Sequence, residues 1–167
     1  MQLYLIRHAI AVDSTASAPT VDGERALTEV GAKKMRKQAG ALQQMGVAFD
    51  VVLTSPLIRA RQTAEIVCDV LGCLDRVKRC DALAPGCVIE EIVDALRPYE
   101  SMSSVALVGH NPDFEELASV LIGARTDAAI QFKKGGICRI DISQFDPHPS
   151  GELIWHLTPR LLRMISN

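Results

Sequence analysis

A chain of 167 residues with 48% hydrophobic content and a formal charge of −2 has the make-up of one soluble globular domain, 1–167, with a real core. That charge balance leaves no electrostatic footprint for nucleic acid or an anionic membrane, and no apolar stretch reaches spanning length. The N-terminus lacks a basic segment followed by an apolar signal core, so the expected address is cytoplasmic.

The first element is the apolar run Leu3 to Ile6, which reads as a buried strand that delivers Arg7 and His8 at its end. Val12 to Ala26 is rich in small, polar and turn-forming residues and reads as a loop. Thr28 is a candidate N-cap for a helix carrying Ala32, Met35, Ala39 and Leu42 at helical spacing, with Gly46 as its stop. "FDVVLTS" is a short strand that runs into "SPLIRARQTAEIVCDVLG". There Ser55 is placed to cap, Pro56 to take the first helical position, and Leu57, Ala60, Ala64, Val67, Cys68 and Leu71 to form one apolar stripe before Gly72. "RVKRC" is a weaker strand, and Ile89, Ile92, Val93 and Leu96 mark a helix before Pro98. "SVALVGH" is a buried-strand pattern that leads into a helix expected to be capped by Asn111 and started by Pro112. "GICRIDI" and "ELIWHLT" read as a closing antiparallel pair.

Strands alternating with helices imply an α/β fold in three layers, α/β/α, its sheet mostly parallel with late antiparallel strands at an edge. Such sheets bind ligands at the carboxyl ends of their strands. Arg7-His8, Ser55 and Gly109-His110 all fall at strand ends and can converge on one crevice. Arg59, one turn into the following helix, leans back towards the same mouth, whereas Arg61 points to solvent. Forked guanidinium donors suit a phosphate dianion, and two imidazoles suit transfer chemistry on it. No histidines show metal-ligand spacing, and no metal or other cofactor is expected. The five cysteines, Cys68, Cys73, Cys80, Cys87 and Cys138, are odd in number and lack two-residue spacing, so they read as buried thiols in a reducing compartment.

The motifs "RHA", "LTEVG" (Leu27 to Gly31), "SPLIRARQT" (Ser55 to Thr63) and "VGHNP" (Val108 to Pro112), in that order, resemble those of the histidine phosphatase superfamily. The short length, the lack of a cap insertion and the late "FKKGGICRIDI" are most similar to its SixA-type phosphohistidine phosphatases. The resemblance implies a phosphoglycerate mutase-like fold without a cap domain. It also implies roles: His8 as nucleophile, Arg7 and Arg59 as clamps on the phosphoryl oxygens, and a protonated His110 completing the phosphate-binding pocket. Ser14 stands where some relatives keep a phosphate-binding polar residue, and Asn111 adjoins His110.

Two positions depart from the family pattern. Ala9 replaces the glycine of Arg-His-Gly, and Pro85 in "DALAPG" stands where mutase-like relatives place a Glu. An alkoxide leaving group, with a conjugate-acid pKa near ~15.7, needs a proton donor. A neutral imidazole leaving from phosphohistidine, with a conjugate-acid pKa of about 6.5, does not. The missing Glu therefore favours phosphohistidine as substrate, although Asp81, Glu90, Asp113 and Glu115 are near enough in sequence to supply a carboxyl group. His148, between prolines, reads as a solvated turn residue and His156 as a strand residue; Lys133 and Lys134 could line the crevice and attract an acidic partner. The expectation is a metal-independent phosphatase acting on a phosphorylated protein, such as a histidine phosphotransfer domain in signal transduction. The alternatives are a phosphatase for a small phosphoester or sugar phosphate, and a phosphate- or partner-binding module without turnover.

Overall fold

Strands and helices alternate through most of the computed structural model, which describes residues 1–13, 21–124, 129–146 and 148–166. In chain order they are β1 (Gln2–Arg7), α1 (Glu29–Gln44), β2 (Val51–Thr54), α2 (Ile58–Leu71), β3 (Val77–Arg79), α3 (Ile89–Leu96), β4 (Ser104–Gly109), α4 (Asp113–Leu121), β5 (Ile137–Gln144), β6 (Ser150–Leu157) and α5 (Pro159–Ile165). The strands form one six-stranded sheet in the order β3-β2-β4-β1-β5-β6. β3, β2, β4 and β1 are mutually parallel, and β5 and β6 join antiparallel on the far side of β1.

Alternation along β1 explains the three layers, since successive side chains point to opposite faces of a sheet. Leu3 and Leu5 pack with Ile92 and Leu96 of α3 and Phe114 and Leu117 of α4. Tyr4 and Ile6 pack with Met35 and Leu42 of α1, Ala64 and Val67 of α2 and Leu162 of α5. β1 is thus buried on both faces, which is why its run is continuously apolar. Truncating one of its fully buried leucines to Ala costs about 2–5 kcal/mol in such a core.

Thr28 caps α1 as expected, its side chain accepting from the Gly31 N–H at 2.9 Å. Gly31 has a packing reason: a Cβ there would lie 2.1 Å from the Ile10 carbonyl oxygen, so only glycine lets α1 approach the segment that leaves β1. Two helix starts differ from the sequence expectation. α2 begins at Ile58 rather than Pro56, with Ser55 forming a turn in which its Oγ accepts from the Leu57 N–H at 3.3 Å. α4 begins at Asp113, and Asn111 makes no cap bond: its Nδ2 donates to the Phe132 carbonyl, and its Oδ1 has no hydrogen-bond partner among the described residues. α5 escaped the sequence reading, although Thr158 as N-cap and Pro159 in the first turn are the usual signals for a helix start.

Candidate active site

The site begins with strand register. β1 and β4 are parallel neighbours in which Arg7 stands opposite Gly109, so His8 and His110 leave the sheet side by side. The His8 N–H donates to the Gly109 carbonyl at 3.0 Å, and the two rings lie 5.1 Å apart between centroids. Gly109 is required by this geometry, since a Cβ there would meet the Phe114 ring at 2.7 Å. Both imidazoles are buried, with 5% exposure for His8 and 3% for His110.

His8 Nδ1 lies 2.7 Å from the Ala9 carbonyl oxygen, which can only accept, so Nδ1 carries the proton and Nε2 keeps its lone pair. The Ala9 N–H in turn donates to Thr63 Oγ1 at 3.0 Å, and its methyl is buried in the core. The alanine in place of glycine is accommodated, and its backbone fixes the His8 tautomer.

His110 Nε2 sits 2.8 Å from Ser55 Oγ. That oxygen also accepts from the Leu57 N–H, and its hydroxyl proton can be donated to Nε2 of a neutral ring. A neutral His110 then carries its own proton on Nδ1, which is buried and has no hydrogen-bond partner among the described residues. Sequence reading placed Ser55 at a strand end and as a helix cap; its contact with His110 joins residues from two strands and has no local signal.

The arginines reach the same place by different routes. Arg7, the last residue of β1, donates from Nη1 to the Phe132 carbonyl, while its Nε is buried without a partner among the described residues. The same carbonyl accepts from Asn111 Nδ2 at 3.0 Å, and Glu115 accepts from both Asn111 and the Phe132 N–H. Arg59 is 5% exposed and donates to the Asp22 carbonyl at 2.7 Å and to its carboxylate at 2.9 Å. Asp22 was not singled out by sequence, where it reads as one more loop residue.

These groups share one electrostatic field. Burial pushes His8 down to about 4, a shift that Arg59 and Arg7 reinforce and that the bond to Ala9 opposes. Burial also pushes His110 down to about 3, aided by His8 and Arg59. The neutral His8 suits a nucleophile. The protonated His110 expected from sequence is a state that a bound dianion favours; in the ligand-free protein burial first, and then His8 and the guanidinium groups, favour the neutral ring. Burial raises the Asp22 carboxyl, but hydrogen bonds from Arg59 and Arg25 outweigh this and hold it below its ordinary value.

The remaining candidates divide clearly. Ser14 lies outside the described residues. Asp81 is exposed and paired with Arg79 at 2.8 Å, and Glu90 and Pro85 are exposed. Asp113 is 7% exposed, its carboxylate accepts from the Gly86 N–H at 3.3 Å, and burial raises its pKa. Arg61 is exposed beside Glu65, His148 is exposed, and His156 packs its ring 4.7 Å from that of Phe132. Lys134 is close enough to lower the His8 pKa further. Among the described residues no three His, Cys, Asp or Glu side chains gather where they could hold a metal ion, and no helix is long and apolar enough to cross a membrane. All five cysteines are free thiols.

Known proteins place this arrangement. The sequence model of the histidine phosphatase superfamily (branch 1) matches residues 3–84. An uncharacterised protein of Picosynechococcus sp. is 36% identical over 97% of this chain and 99% of its own. The chain belongs to the histidine phosphatase superfamily. Within it, the chain is similar to the phosphohistidine phosphatase SixA of Escherichia coli (strain K12), at 29% identity over 98% of both chains. A solved structure of the protein histidine phosphatase SixA complexed with tungstate superposes with a TM-score of 0.83 at 26% identity, covering 96% of this chain and 98% of that one.

Proposed function

We propose that this protein is a phosphohistidine phosphatase that works through a phosphorylated His8, using no metal, with a phosphorylated protein such as a histidine phosphotransfer domain as substrate. The observation that carries the reading is the His8 Nδ1 to Ala9 bond at 2.7 Å beside two guanidinium groups and a buried, unpartnered His110 nitrogen. Similarity to SixA over the full length supports the substrate class.

The chemistry balances without an acid. A substrate phosphohistidine protonated on its second ring nitrogen binds with its phosphoryl oxygens facing Arg7, Arg59 and His110 Nδ1–H. His8 Nε2 attacks phosphorus as the substrate P–N bond breaks, and the substrate imidazole leaves neutral. His8 becomes a phosphoimidazolium, its Nδ1 proton still donated to the Ala9 carbonyl. Water then attacks phosphorus, the His8 P–N bond breaks, and dihydrogen phosphate leaves with both water protons. The arginines contribute by neutralising charge on the phosphoryl oxygens, which is where most catalysis of phosphoryl transfer resides. Splitting hydrolysis into a transfer between nitrogens of similar basicity and a second transfer from His8 to water replaces one difficult step with two easier ones.

A small-phosphoester phosphatase is the second reading. Asp113 favours it, as a buried carboxyl three residues beyond His110 that burial shifts towards the acid form, the kind of group that serves an alkoxide as proton donor. Rapid acid-free quenching after mixing with phosphohistidine protein should trap acid-labile phosphate on His8, and His8→Ala should abolish both the trap and turnover while EDTA changes neither. Turnover of a phosphomonoester of similar size should be at least ~100-fold slower; equal rates would replace the first reading with the second. Saturable phosphate binding with no trap and no turnover would instead leave a binding module.

A further inference from the structure

Beside the His8 site lies a second cavity of about 440 Å³, which shares Arg7 and Ala9 with it. Its charged lining is all of one sign: Arg7, Lys34 of α1, Lys133 and Lys134, and Arg163 of α5. The chain as a whole carries −2, so five cations around one opening, with no lining carboxylate among the described residues, is a local concentration against the average. The described acidic group with an ion pair to this set is Asp13, 3.9 Å from Lys134 and itself 80% exposed. The lining also contains Gln38, which is 2% exposed and whose Oε1 has no hydrogen-bond partner among the described residues. The 133–136 turn is fixed against the catalytic strand, because the Gly135 N–H donates to the Arg7 and His8 carbonyls at 3.1 and 3.0 Å.

We infer that this cavity is a docking site for acidic side chains that flank the phosphohistidine on a protein substrate. The inference rests on the phosphohistidine reading above. Like charges held together by the fold repel one another, and an anion relieves that repulsion while it lengthens the productive encounter. The kind of cation selects the kind of anion. Lysines on flexible stems, two of them well exposed, match carboxylates spread over a protein surface. A compact second phosphate would call for fixed forks and backbone N–H groups converging on one point. Arg7 sits on both sites, so an acidic residue seated here lies next to the phosphoryl group.

The test uses the full chain and three phosphoryl donors: phosphoimidazole, and two phosphohistidine peptides of equal length with acidic or neutral flanks. At low salt the acidic peptide should show kcat/KM about tenfold above the neutral one, mostly through KM. The advantage should vanish at 0.5 M salt, as about one Debye length is then only a few ångströms. Lys34→Glu combined with Arg163→Glu should erase the same advantage and leave phosphoimidazole turnover unchanged. Fluorescence anisotropy of the unphosphorylated acidic peptide supplies an arm independent of chemistry. Binding to the wild type that the double variant loses, with no phosphohistidine turnover by either, would keep the docking site and defeat the catalytic reading. Turnover without flank preference would keep the catalytic reading and defeat the docking site. Displacement by micromolar pyrophosphate, with the acidic peptide no tighter than the neutral one, would overturn the inference in favour of a small polyanion. An equal fall on phosphoimidazole in the double variant would overturn it too, unless Lys133→Glu alone, at an exposed position, still removes the flank preference.

Discussion

Arg7 and Arg59 face one crevice but are held in opposite ways. Arg7 is steadied by a neutral carbonyl, that of Phe132, and its Nε has no partner among the described residues. Arg59 is steadied by Asp22, through one hydrogen bond to its backbone carbonyl and one to its carboxylate. A neutral acceptor orients a guanidinium without cancelling its charge, whereas a carboxylate both orients and competes. On the proposed reading, an incoming phosphoryl group meets one guanidinium with no carboxylate bonded to it, although Glu115 lies within its field, and one already bonded to a carboxylate. The comparison suggests a division of labour: Arg7 supplies charge from a fixed strand end, and Arg59 supplies a donor whose strength Asp22 moderates.

The largest expected effect comes from removing either clamp. Arg7→Ala and Arg59→Ala should each lower kcat by about 10²–10³, the usual loss for one preorganised donor to developing negative charge. The two should then separate. Adding Asp22→Asn to Arg59→Ala should restore roughly tenfold, because it removes a carboxylate left facing the anion, and it should do nothing for Arg7→Ala. Identical behaviour in both backgrounds would break the comparison. A smaller effect is expected for Asp22→Asn alone. With Asp22 more than half exposed, freeing Arg59 should tighten inhibition by inorganic phosphate by about threefold, measured as Ki.

The smallest difference between the two arginines is expected in acid stability. His8 and His110 have folded pKa values of about 4 and about 3, below the ordinary 6.5. Between these values the unfolded chain binds more protons than the folded one, so stability rises with pH through that window and is fully present above it. Falling pH from 6.5 to 4 should cost up to about 1.4 kcal/mol per unit for each imidazole. After burial, Arg59 depresses both imidazoles more than Arg7 does. Denaturant midpoints across pH 7 to 4.5 should therefore show a flatter acid slope in Arg59→Ala than in Arg7→Ala. The reverse order would mean that Arg7 is the nearer charge in solution.

What the sequence reveals follows from where the signal lies. β1, β4 and the α1 cap were legible because burial on two faces, and the bond from Gly31 to Thr28, act over a few residues. Arg7, His8, Arg59 and His110 were legible as a group because strand ends in this kind of sheet share one edge. Asp22 and the Phe132 carbonyl were not, since each matters only through a partner from a remote element. Ser55 was half legible, as a turn residue whose second contact needs β4 beside β2. The pull of burial on the His110 charge was not legible for a related reason: desolvation depends on the packing around a ring, which no local pattern encodes.

The pairing of β1 with β4 has one more implication, for the moment of synthesis. His8 leaves the ribosome early and His110 only after well over half the chain, yet neither imidazole has its proper neighbour until the two strands lie together. A nascent or truncated polypeptide ending before β4 therefore carries Arg7 and His8 as ordinary, solvated side chains. The paired imidazoles, and whatever chemistry they carry, can be acquired only once β4 has docked beside β1.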